Sequence, residues 1–226
     1  KGIHPQESGF TAVIRLSRCE NAVEQRLGVA SLPGDTVVIL EQLVALDDVV
    51  MDRISTGAFG ILNEDAPGIS PNQRVLHHAG GQIDITGACK AAARLLPIRS
   101  TWANIDNRFG VVTSTSDMAY HDVNTYQRSR LREVLYANHV VGPRQISKGS
   151  VFAQSAWLVA PNASAAETER MTIALETHNS LIVATLPDGT TIAANFADED
   201  QHVTVAKGEQ AVPALGMLVE TVEAQE

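Results

Sequence analysis

The residues of widest chemical reach in this 226-residue chain are seven histidines, two cysteines and several acidic clusters. His77-His78 and the trio Asp117, His121 and Asp122 are the densest groups of metal-ligand types. Adjacent residues of a strand point to opposite faces, so His77 and His78 cannot readily share a metal from a strand. The trio lies in a polar segment where loop residues could converge, but no recognised ligand spacing joins it, and ordinary surface histidines are the simpler reading. Cys19 and Cys89 could form one bridge, yet two thiols make neither a disulfide framework nor a metal set. Lys90 beside Cys89 could depress that thiol's pKa, but an isolated cysteine more often serves as a small buried hydrophobe.

Glycoside hydrolysis needs two carboxylates about 5 to 10 Å apart across a cleft. Glu64-Asp65, Asp47-Asp48 and Asp198-Glu199-Asp200 match that chemistry only by residue type, and each is more simply a solvated turn. The Asp198 to Asp200 cluster could bind calcium through loop oxygens, although it lacks the glycine and spacing of a calcium loop. No other cofactor is expected. The sequence contains no Gly-x-Ser-x-Gly elbow, no His-Glu-x-x-His and no phosphate-cradling glycine loop, so covalent catalysis has no support in it.

Arg128, Arg130 and Arg132 alternate with Ser129, Leu131 and Glu133, so a strand there would present three guanidinium groups on one face. Such a ladder could meet carboxylates or uronic acids bidentately. The plainer reading is a solvated face whose arginine stems cover apolar surface. Sugar platforms need flat aromatics, and these make up only 4% of the chain. Trp102, beside a turn at Asn104 to Gly110, is the candidate platform, with a core role as the stronger expectation; Trp157, in an apolar run, reads as core.

The elements that would carry these groups are strands. Phe10, Ala12, Ile14 and Leu16 alternate with Thr11, Val13 and Arg15, giving one apolar and one wetter face. Further strands are predicted at Arg26 to Leu32, Thr36 to Val44, Ala58 to Leu62, Arg74 to His78, Gln82 to Thr86 and Phe109 to Thr113. Others are expected at Leu131 to Ala137, Val151 to Ala160, Ser180 to Leu186, Thr190 to Phe196 and Gln201 to Ala206. Turn residues separate them at short intervals, as in an antiparallel meander or Greek key. Ala30-Ser31-Leu32-Pro33-Gly34-Asp35-Thr36 is echoed by Ala184-Thr185-Leu186-Pro187-Asp188-Gly189-Thr190, and both predict tight β-hairpins. The one good helical start is Ser164 to Met171, with Glu167 completing a capping box; Asn63 to Asn72, with Pro67, Gly68 and Pro71, reads as an exposed loop.

The expected fold is therefore all-β, an antiparallel two-sheet sandwich with at most one or two short helices. It should span residues 1–226 as one domain, with a minor sub-boundary near Pro161. A net charge of -9 opposes nucleic acid, and no apolar run approaches the roughly 18 residues that cross a bilayer, so neither nucleic acid nor membrane is an expected partner.

The stretches Gly28 to Glu41 and Ser100 to Val112 resemble the β-sandwich domains that follow the catalytic domain in large bacterial glycoside hydrolases and polysaccharide lyases, including the heparinase II/III-like kind. They are hairpin and strand patterns, and they carry no catalytic residue. The resemblance implies a non-catalytic accessory domain of a secreted bacterial carbohydrate-active enzyme, packed on that parent's catalytic domain and contacting polysaccharide. A start at Lys1 instead of Met fits a piece of a longer protein. The alternatives are an autonomous saccharide-acting enzyme with loop-borne carboxylates, or a structural or interaction module.

Overall fold

A computed structural model describes residues 3–6, 9–63, 75–85, 95–115, 118–124 and 131–221. Its largest sheet has nine antiparallel strands. In spatial order they are β1 (Ile3–Gln6), β2 (Gly9–Arg18), β3 (Val23–Ser31), β4 (Val37–Ala45), β13 (Val151–Pro161), β10 (Phe109–Thr113), β9 (Trp102–Ile105), β6 (Val75–His78) and β7 (Gly81–Asp84). A second sheet runs β5 (Val49–Asn63), β12 (Leu131–Ile146), β11 (Met118–Asn124), β8 (Leu95–Pro97). The C-terminal sheet runs β14 (Ala174–His178), β15 (Leu181–Thr185), β16 (Thr191–Asn195), β19 (Met217–Glu220), beside a separate hairpin of β17 (Gln201–Val205) and β18 (Gly208–Val212).

The fold is all-β and sandwich-like, with its strands spread over several packed layers. Val38, Leu40, Val112 and Leu158 on one face of the nine-stranded sheet meet Ile182, Ala184, Ile192 and Ala194 of the C-terminal sheet. On the opposite face Ala103, Val111 and Trp157 meet Met118 and Leu96, while Ala45 and Ala153 meet Ile54 and Ile146. The far side of the C-terminal sheet is covered in turn by the β17–β18 hairpin, through Leu181, Val183, Ala193 and Val212. Strands covered on both faces lose alternation, because neither side chain direction leads to water. That is why Ser155 to Ala160 of β13 and all of β16 are buried.

Glycines let the layers approach closely. A Cβ on Gly28 would stand 2.5 Å from the Ala194 Cβ, so β3 approaches β16 only because this position has no side chain. The short helix α1 (Ala165–Arg170) lies on β9 and β10 for a similar reason. A Cβ on Gly110 would meet the Thr168 hydroxyl at 2.4 Å, and buried Asn104 donates through Nδ2 to Ala163 O and Thr168 Oγ1, both at 2.8 Å. Ser164 caps this helix and forms the expected capping box with Glu167. Those hydrogen bonds from Ser164 hold the Glu167 carboxyl below its ordinary pKa.

One sequence expectation reverses. In β2 the buried residues are Thr11 and Val13, at 3% and 8% exposure, whereas Phe10 and Ile14 are 47% and 40% exposed. The C-terminal sheet covers the Thr11 and Val13 face, while Phe10 and Ile14 on the other face stay about half exposed. Alternation identified two faces; which one is buried was set by where the neighbouring layer ends.

Candidate functional site

The two echoed turns form the same hairpin. Leu32 N donates to Thr36 O at 2.8 Å, and Leu186 N donates to Thr190 O at 2.9 Å. Across the core β3 faces β16 and β4 faces β15, and the two turns line one cleft. Both turns therefore lie at one end of the molecule. Between them is an open cleft of about 380 Å³, with matched contributions from Leu32 and Leu186, Pro33 and Pro187, and Thr36 and Thr190. Leu158 and Met171 add to its apolar lining, and Thr172, Asp188 and Thr221 add polar groups.

The matching is imperfect where charge is concerned. The order is Pro-Gly-Asp in the first turn and Pro-Asp-Gly in the second. In the first, Gly34 and Asp35 take positive φ of 77° and 61°; in the second only Gly189 does, at 85°. Asp188 then falls on the cleft lining, with its Oδ1 accepting from Thr190 N at 2.9 Å. Sequence reading found the echo as turn chemistry and missed it as a site, because adjacency of the two turns depends on how two sheets stack.

A second polar feature is buried on β4. Glu41, 2% exposed, accepts from Gln25 Nε2 at 2.6 Å and from Gly57 N at 2.7 Å, and Gln25 accepts from Arg18 Nε at 2.8 Å. Burial pushes the Glu41 carboxyl up, against the lowering effect of those two hydrogen bonds and of Arg18. Gly57 has a φ of +65°, and a Cβ there would lie 2.0 Å from the Trp157 ring. The glycine thus brings the β5 backbone onto both the carboxylate and the indole.

The residues singled out by chemistry are dispersed. Arg132 lies on β12 opposite Leu62, while Arg128 and Arg130 lie outside the described residues. Trp102 is 9% exposed within the core shared with the C-terminal sheet, and Trp157 is fully buried with its Nε1 donating to Ser155 Oγ at 2.8 Å. Asp198 pairs with Arg15 at 3.5 Å, Glu199 accepts through its backbone carbonyl from Asn195, and Asp200 accepts from Ala214 N. Asp47 and Asp48 accept from Asp48 N and Lys148 N in a turn. His121 and Asp122 are on β11; Asp117, Glu64, Asp65 and Cys89 fall outside the described residues, and Cys19 is exposed. Among the described residues no group of three or more His, Cys, Asp or Glu is placed to hold a metal. His78 sits partly buried, which lowers its pKa, offset by the Ile98 backbone.

The sequence matches no protein-family model, and no curated protein matches it.

Proposed function

We propose that this chain is a non-catalytic β-sandwich module that packs against the catalytic domain of a carbohydrate-active protein. The observation that carries the reading is the half-exposed apolar face at the β2 edge of the nine-stranded sheet. Phe10 and Ile14 are 47% and 40% exposed there. Beside them the register pairs Ala12 with Val29 and Ile14 with Leu27, all partly open. Contiguous exposed apolar surface with a polar rim marks an interaction site more often than bare solvent contact. Here Arg18 and Gln25 supply that rim. The likeness of Gly28 to Glu41 and Ser100 to Val112 to accessory sandwich domains supports a saccharide-processing companion.

The test is co-expression of this chain with the rest of its reading frame. The two parts should co-purify, and Phe10→Asp with Ile14→Asp should release the partner while leaving the β-rich circular dichroism unchanged. Alone, the chain should release no product from neutral or uronic polysaccharides. Turnover that a single Asp or Glu substitution abolishes, or co-purification indifferent to the double substitution, would overturn the reading.

A further inference from the structure

We propose that the cleft between the twin turns binds a small organic cation with an aliphatic body, an alkylammonium in the simplest case. The site is separate from the β2 face and does not depend on it. Its volume of about 380 Å³ lies at the lower end of the range for small-molecule pockets. Leu32 and Leu158, at 9% and 5% exposure, form an apolar floor, with Met171 and Leu186 partly open beside them. Pro33 and Pro187 flank it as rigid walls whose φ is fixed before a ligand arrives, which limits the ordering cost of binding.

Charge decides which aliphatic ligand fits. Asp188 is the only ionisable side chain in the described lining, and no Lys, Arg or His is among those residues. The chain's charge of -9 adds a background potential of the same sign. A carboxylate-bearing ligand is disfavoured on both counts, and an ammonium is favoured. The Asp188 carboxylate is already oriented, because its Oδ1 accepts from Thr190 N and the turn is closed by Gly189 N donating to Leu186 O at 3.0 Å. The transposed Gly and Asp make the two turns unequal, since Asp188 lines the cleft and Asp35 does not. The ligand should therefore bind in one orientation, its cationic end at the β15–β16 turn and its apolar body over Leu32 and Leu158.

The experiment uses the intact chain and three probes of one body: n-hexylammonium, n-hexanol and n-hexanoate. Methyl NMR shifts at Leu32, Leu158, Met171 and Leu186 should saturate with hexylammonium, follow at higher concentration with hexanol, and stay still with hexanoate. Asp188→Asn should weaken hexylammonium about threefold, the worth of an exposed ion pair, and leave hexanol unchanged. Added salt should narrow the gap between amine and alcohol. Equal binding of hexanoate, an amine preference undiminished by Asp188→Asn, or the absence of saturable shifts at these methyls overturns the proposal. Asp188→Asn should not affect co-purification through Phe10 and Ile14, so failure of one reading is visible apart from the other.

Discussion

Folding alters the chemistry of Glu41. Its Oε1 and Oε2 serve two donors, Gln25 and the Gly57 amide, at 2% exposure. Because burial raises its pKa in the folded state, the native protein holds this proton more tightly than the unfolded chain. The stabilisation from that proton is complete below the ordinary carboxylate pKa and is lost as pH rises through the folded value. Urea denaturation of wild type and Glu41→Gln across this window should show the difference in stability drifting in favour of the variant as pH rises; a constant difference would refute the assignment. Gln25 can flip its amide to suit the new side chain, at the cost of its exposed contact with Arg18, so Glu41→Gln should stay within about 1 kcal/mol of wild type at low pH. Glu41→Leu strands the Gly57 amide and should cost about 1–3 kcal/mol. Gly57→Ala combines an unfavourable positive φ with a side chain driven into Trp157, and roughly 3 kcal/mol of destabilisation is expected by thermal melting.

Among the elements, α1 follows its local code most closely. Ser164 was legible as an N-cap because the cap needs only a side-chain oxygen and Glu167 three residues later. Ser164→Ala should lower stability by about 1 kcal/mol. Since hydrogen bonds from Ser164 depress the Glu167 pKa, the capping box contributes above the ordinary carboxylate value and fades as pH falls through the lower folded value. The cost of Ser164→Ala should shrink correspondingly in acid. Between β3 and β16 the controlling residue is Gly28: Gly28→Val should separate the two sheets, destabilise by about 1–3 kcal/mol, and perturb Ala194 and Met217 resonances first.

At the scale of the molecule, protection should follow layering. β4, β13, β15 and β16 are enclosed between covered faces, and β1 and β2 close an open edge. Native-state hydrogen exchange should find the slowest amides in the enclosed strands and faster exchange in β2. Equal protection in β2 and β16 would contradict the stacked arrangement. Far-UV circular dichroism should be β-dominated, with helix content near that of the single six-residue helix among the described residues.

By itself the sequence determined the strand class, the two Leu-Pro hairpins and the capped helix. Each depends on contacts within a few residues: period-two alternation, turn geometry, or a side chain reaching its own backbone. Strands β9, β14, β18 and β19 escaped because each holds a single β-branched residue, whereas β10 and β17, no longer than β14 or β18, hold three and were legible. Tertiary structure decided which face of β2 is buried, that Glu41 lies dry beneath Gly57, and that Pro33 and Pro187 share a cleft. Those outcomes follow from the stacking of sheets distant in sequence. A strand's pattern separates its two faces, but only the layer laid over it determines which face meets water.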